Sequence, residues 1–128
     1  LRLVGSEMCI RDSLNTAASL VYKAVSEMKN LSKKLHGNEE TAYGLAGLGD
    51  LHVSSAGGRN SKMGYYLGQG YKFTDAKAKF MKEITVEGAD LAFAIGPKIL
   101  KEFKKEEFPL LISVIETICE NKKLEINW

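Results

Sequence analysis

The chain has 128 residues, 45% hydrophobic and 27% charged, which fits one globular domain and excludes a disordered chain. Its formal charge is only +2, with lysines and acids interleaved along the chain, so a nucleic-acid partner is disfavoured. Two cysteines, Cys9 and Cys119, are too few for a disulfide framework; no membrane span and no signal-peptide core are visible, which favours a reducing, cytoplasmic location. In chain order, the segment LRLVGSEMCIRDS comes first, and charges interrupt each of its short apolar runs. It also resembles a translated sequencing-adapter scar, so residues 1–13 are expected to be a non-native or disordered tail and residues 14–128 the domain proper.

From Asn15 the pattern changes. Val21, Ala24, Val25, Met28, Leu31 and Leu35 recur at three and four residues, as one face of a helix requires. Lys33, Lys34 and His36 suit the negative end of its macrodipole, and Gly37 is expected to supply the left-handed stop. His36 is therefore a helix-end residue, not a metal ligand. Asn38 can cap a short helix through Glu39, Glu40 and Thr41, after which Gly44, Gly47 and Gly49 are expected to end regular structure.

Beyond Asn60, the residues Met63, Tyr66 and Leu67 mark a further helix, closed by Gly68-Gln69-Gly70. Thr74 is expected to cap the next, whose stripe is Ala76, Phe80, Met81 and Ile84. Leu91, Ala92, Ile95, Ile99, Leu100 and Phe103 carry the same period across Gly96-Pro97, where a kink or break is expected because proline costs a helix interior about 3 kcal/mol. Pro109 fits the first turn of a last helix with Leu111, Val114, Ile115 and Ile118 inward, and Cys119 on it reads as a buried, inert thiol. Only Leu124, Ile126 and Trp128 alternate, too short a run to require a strand. The fold class that follows is all-α, a bundle of about six helices.

The chemistry concentrates in GLAGLGDLHVSSAGGRN, Gly44 to Asn60. Ser54 lies four residues after Asp50, one turn away if that piece is helical, and Gly57-Gly58 let the backbone turn the Arg59 guanidinium back toward it. A planar guanidinium binds two phosphate oxygens at once, and a helix starting near Arg59 adds free N–H groups and a positive dipole end. The pattern points to a phosphomonoester. It lacks paired histidines and Cys-x-x-Cys units, so no metal site is expected; GLAGLG has the wrong spacing for a dinucleotide fingerprint. On spacing alone a solvated turn, with Asp50 as a cap and Arg59 paired to a nearby acid, is the more ordinary reading, and His52 reads as a packed or surface histidine.

GLAGLGDL followed by SSAGGRN resembles the signature of NAD(P)-dependent glycerol-3-phosphate dehydrogenase in its C-terminal substrate domain. That family runs in order through a helix of the N-x-K-A-A type leading into E-M, then E-T-F-x-G-L-A-G-x-G-D-L, G-R-N or S-R-N, L-G-x-G, and V-x-E-G. Here these correspond to Asn15 through Met28, Glu40 through Leu51, Gly58 through Asn60, Leu67 through Gly70, and Val86 through Gly88. The resemblance implies an all-α domain of the 6-phosphogluconate dehydrogenase C-terminal type. Such a domain holds dihydroxyacetone phosphate or sn-glycerol 3-phosphate against NAD or NADP carried on a separate Rossmann domain, in the cytoplasm, with a homodimer open to it as an assembly.

Carried over by residue, the resemblance implies that Arg59 and Asn60 grip the substrate phosphate, with Arg59 also near the cofactor pyrophosphate. It gives Ser54 a substrate-side hydroxyl where the family has threonine, and Asp50 the task of orienting a catalytic lysine. Glu87 and Gly88 stand where the family approaches the cofactor. The pattern is departed from at Ala17, at Tyr22-Lys23 and at Asp90-Leu91-Ala92, where the family has lysine, T-R and R-T-T. The lysine and the Rossmann half precede the retained pattern in the family, so the chain alone is expected to hold phosphate weakly and to catalyse nothing. Two alternatives are another dehydrogenase with a Rossmann domain followed by a helical one, and a non-catalytic helical interaction or dimerisation module.

Overall fold

The computed structural model describes residues 2–126, with side chains from Thr16 onward. Every regular element among the described residues is helical, as expected, and there are six α-helices. Helix covers residues 2–13 of the segment expected to be a tail, while the side chains there, that of Cys9 among them, and Trp128 lie outside the described residues. Two compact units divide the chain, residues 1–47 and 48–128.

The first unit is built on helix α1, Arg2–Lys34, which begins well before the Asn15 start that periodicity suggests. Its Val25 is buried, as is Ala42 in a 3-10 helix over Glu39–Tyr43, whereas Leu35 at its far end is exposed. The stop of α1 corrects the expectation by one residue: His36, not Gly37, takes the left-handed conformation, with φ 64°. The Gly37 N–H donates to the Ser32 carbonyl at 2.7 Å and the His36 N–H to Lys33 at 3.1 Å, the paired bonds of a Schellman stop. Asn38 caps the 3-10 helix as expected, its Oδ1 accepting from the Glu40 N–H at 2.9 Å. The glycines that follow do not end regularity: Leu45–Gly49 forms one π-helical turn that runs directly into α2, Asp50–Ser55.

The second unit holds α2 and then α3, Arg59–Gly68; α4, Phe73–Phe80; α5, Glu87–Glu102; and α6, Pro109–Cys119. Its core gathers Met63 and Leu67 from α3, Ala76 from α4, Ala89 and Ala92 from α5 and Ile118 from α6, together with Met81 and Val86 between helices. The α3 stripe falls where the sequence puts it, whereas α4 ends at Phe80, so of its expected stripe Ala76 and Phe80 lie on the helix and Met81 and Ile84 beyond it; the rings of Tyr66 and Phe80 stack at 4.1 Å.

Of the kink or break expected at Pro97, helix α5 shows no break. Its buried face departs from expectation: it is Ala89, Ala92, Gly96 and Ile99, while Leu91 (58% exposed) and Ile95 face out. The cause lies in α6. A Cβ on Gly96 would stand 2.7 Å from Cys119 Sγ and 2.9 Å from Ile115 Cγ2, so the helices approach too closely for large side chains at this seam. Proline removes the donor that would have satisfied the Phe93 carbonyl, but Phe93 is exposed, which leaves that carbonyl to water. Pro109 opens α6 as expected, and the Cys119 thiol is partly buried, donating to the Ala92 carbonyl at 3.2 Å. Burial, and then the Glu120 charge, hold that thiol above its ordinary pKa.

Thr74 is not the cap of α4. Lys72 occupies the capping position, and the Thr74 N–H and hydroxyl both donate to Oδ1 of Asn121 at 3.2 Å. Asn121 sits just past α6 with φ 54°, a left-handed position that asparagine tolerates, and from there it reaches across to cap another helix.

Candidate functional site

The site grows from three short helical starts. Asp50 opens α2 and Ser54 lies one turn on, both exposed, so one helix presents the carboxylate and the hydroxyl as the spacing requires. The chain then breaks at Gly57-Gly58, and Gly58 has φ 106°, which side-chain-bearing residues rarely adopt. That turn places Arg59 at the first position of α3. The Ser61 hydroxyl donates back to the Ser55 carbonyl at 3.4 Å and ties the two helices together.

With glycine as its N-cap, α3 has no side-chain cap, and its first helical bond runs from the Lys62 N–H to the Gly58 carbonyl at 3.0 Å. The N–H groups of Arg59, Asn60 and Ser61 therefore precede the helical ladder and point out of the helix start. This is the anion-favouring end of the macrodipole.

Arg59 and Asn60 both meet the start of α5. The Arg59 Nη2 donates to Glu87 Oε1 in an ion pair whose side chains are each about half exposed. Asn60 Oδ1 accepts the Gly88 N–H at 2.9 Å. Gly88 is the second residue of α5, and the N-cap, Val86, has no side chain able to cap, so Asn60 does that work from a neighbouring helix. A Cβ on Gly88 would lie 3.0 Å from Asn60 Oδ1 and 3.2 Å from its Cγ, which makes glycine the residue that admits this bond. With Oδ1 engaged, the two protons of Nδ2 remain for a ligand.

The structure thus brings together Arg59, Asn60, Glu87 and Gly88, four of the six residues singled out in the sequence. Asp50 and Ser54 are on α2 beside them in sequence, but among the described residues no hydrogen bond or ion pair joins either to Arg59. The Gly88 backbone meets Asn60 within the chain, a contact that sequence reasoning missed. A G-R-N motif names the asparagine but carries no signal for the partner 28 residues away.

A polar cavity of about 450 Å³ lies elsewhere, at the C-terminal end of α6, walled by Lys72, Lys105, Glu116, Thr117, Asn121 and Lys122 among others. None of the residues singled out in the sequence lines it. Glu116 accepts from Lys105 Nζ at 3.1 Å and from Lys122 Nζ at 3.2 Å, and Lys122 also reaches Glu120 at 2.8 Å. The Lys105 hydrogen bond, with that of Lys122, holds the Glu116 carboxyl below its ordinary pKa against the opposing effect of burial. Two of the cavity's cations are thereby occupied by the protein's own acids.

Among the described residues no helix is long and apolar enough to cross a membrane. The family described as NAD-dependent glycerol-3-phosphate dehydrogenase C-terminus matches the chain over residues 5–127. The NADP(+)-dependent glycerol-3-phosphate dehydrogenase of Archaeoglobus fulgidus is 34% identical over 116 residues, which cover 87% of this chain and 33% of that protein. The glycerol-3-phosphate dehydrogenase [NAD(P)+] of Chlamydia pneumoniae is 35% identical over 113 residues, with 87% and 33% covered. That of Francisella philomiragia is 33% identical over 110 residues, with 84% and 32% covered. The chain spans about a third of the length of these curated relatives. No solved structure matches it significantly. A family match over nearly the whole chain, with the motif residues Arg59, Asn60, Glu87 and Gly88 in mutual contact, places the chain in the NAD-dependent glycerol-3-phosphate dehydrogenase C-terminal family.

Proposed function

We propose that this chain is the substrate-holding part of an oxidoreductase that interconverts dihydroxyacetone phosphate and sn-glycerol 3-phosphate with NAD or NADP. The observation that carries the reading is the junction of α3 and α5. There a guanidinium, an amide with two spare protons and an uncapped helix start lie at adjacent positions, Arg59 and Asn60. Each is a donor, and together they suit the several oxygens of a phosphate better than a neutral ligand.

The same donor set fits either phosphate of such a reaction, the substrate's monoester or the cofactor's pyrophosphate, and Arg59 is the residue with reach for both. A nicotinamide cofactor, when bound, supplies or accepts the hydride. The chain's own residues do the rest of what is proposed for it. Arg59 and Asn60 hold the phosphate end, which fixes the carbon to be reduced at a set distance from the anion grip. Ser54 offers a hydroxyl to the substrate from the exposed side of α2. The Asp50 carboxylate, one turn before it, orients an ammonium that protonates the developing alkoxide, the acid catalysis a ketone reduction requires. The family places that lysine before the pattern matched here. The presence of only two cysteines, Cys9 and Cys119, too few for a disulfide framework, supports a cytoplasmic location.

The test is a chimera in which this chain replaces the matching third of the Archaeoglobus fulgidus enzyme, assayed for NADP(+) reduction with sn-glycerol 3-phosphate. Arg59→Ala is expected to lower kcat/KM by at least tenfold, a loss of about 1.5 to 3 kcal/mol for a charge-assisted contact. An unchanged kcat/KM in that variant removes Arg59 from the substrate site.

A further inference from the structure

We propose that Glu87 is a built-in competitor for the phosphate site, occupying Arg59 until a multiply charged anion displaces it, and so selects phosphate over singly charged ligands. The proposal rests on the reading of Arg59 and Asn60 as the phosphate grip, and adds a residue that sets its threshold. Three observations carry it. The Glu87 carboxylate sits on the Arg59 guanidinium, the very group assigned to the ligand. Both side chains are about half exposed, 55% and 53%, so the pair is solvated and its strength lies in the weak range of surface ion pairs, which lets it exchange with ligand. Finally, Glu87 occupies the first position of α5, where a carboxylate released from Arg59 is still stabilised by the helix start and is not left buried and unpaired.

Asn60 does not take part in the exchange. Its Oδ1 is held by the Gly88 N–H, so Nδ2 and the first N–H groups of α3 stay oriented whether Arg59 faces Glu87 or a ligand. A phosphate dianion can use those donors and the guanidinium together, which recovers more than the lost pair. A monocarboxylate brings one charge and two oxygens, the same as Glu87 itself, and gains little by replacing a group already tethered in place. The tether is what turns an ordinary ion pair into a filter.

The experiment follows backbone amide shifts of the full chain titrated separately with inorganic phosphate and with acetate, in the unmodified protein, Glu87→Gln, Glu87→Asp and Arg59→Ala. Glu87→Gln is expected to tighten phosphate binding by about two- to fivefold, the size of an exposed ion pair, and to tighten acetate by more, whereas an equal gain for the two anions overturns the selective role. Glu87→Asp, which keeps the charge at the start of α5 but shortens its reach, is expected to give an intermediate gain. Phosphate binding that is equal or weaker in both Glu87 variants overturns the competitor role while leaving the phosphate site standing. Phosphate binding that Arg59→Ala does not weaken, or that saturates in none of the four proteins, overturns the underlying reading and the competitor with it.

Discussion

Two junctions in the second unit are built alike and behave differently. In each, an asparagine from a distant segment caps the second N–H of a helix that lacks a capping side chain of its own: Asn60 caps α5 at Gly88, and Asn121 caps α4 at Thr74. Each also has cations beside it, Arg59 in the first case, Lys72 and Lys122 around the polar cavity in the second. The difference is in what is left over. At the Asn121 junction the Thr74 hydroxyl shares the asparagine oxygen, while Lys105 and Lys122 are both drawn onto Glu116, a carboxylate only 18% exposed. At the Asn60 junction one half-exposed acid meets one half-exposed guanidinium beside an uncapped helix start. The same capping device stands in one place beside lysines drawn onto a largely buried acid, and in the other beside the half-exposed donors proposed to hold a ligand.

The sharpest way to break this comparison is to remove both asparagines in turn. Asn60→Ala and Asn121→Ala are each expected to cost about 1 kcal/mol of unfolding free energy, as a lost N-cap does, measured by chemical denaturation. Only Asn60→Ala is expected to weaken phosphate binding as well, by about tenfold. Equal loss of phosphate affinity in the two variants would erase the distinction between the junctions.

A subtler change leaves the asparagine and crowds its partner. Gly88→Ala puts a methyl group 3.0 Å from Asn60 Oδ1, so the amide must shift. Phosphate affinity is expected to fall severalfold while stability changes by less than about 0.5 kcal/mol, because alanine also favours the helix. A binding curve that superimposes on that of the unmodified chain would show that the Gly88 bond does not position Asn60.

The smallest effect is at the other junction and depends on pH. Because Lys105 and Lys122 depress the Glu116 pKa in the folded state, that carboxylate's contribution is complete above its ordinary value of 4.5 and is lost as pH falls through the lowered one. Glu116→Gln is expected to remove about a few tenths of a kcal/mol at pH 7 and to converge with the unmodified chain in acid, with phosphate affinity untouched at neutral pH. A constant difference between the two unfolding curves across that range would assign Glu116 a packing role instead.

What the sequence made legible was local. Pro109 at the start of α6, Asn38 before the 3-10 helix and the Gly58-Arg59 helix start are signals carried within a few residues, and each stands where its chemistry predicts. Two of the errors are places where a distant partner outweighs a local preference, and two are local. Thr74 has the composition of a cap, but Asn121 arrives 47 residues later to take the N–H. The period through Leu91 and Ile95 is helical as read, yet the close approach of α6 at Gly96 selects the small-residue face for burial. Pro97 costs a bond that matters less where the orphaned carbonyl belongs to an exposed residue. His36 takes the left-handed turn because the Schellman bonds fix where the helix ends, and the neighbouring glycine comes one position late. At the proposed site, motif order singled out Arg59 and Asn60, whereas their contacts with Glu87 and Gly88 depend on how α5 meets α3.

The most direct measurement is a map of amide shifts on titrating the full chain with dihydroxyacetone phosphate. Saturable shifts are expected at Ser54, at Gly58 through Ser61 and at Glu87 and Gly88, with none at Lys72, Lys105 or Lys122. Shifts that instead gather around those lysines would place the anion in the α6 cavity and contradict the assignment of the phosphate site to the α3–α5 junction.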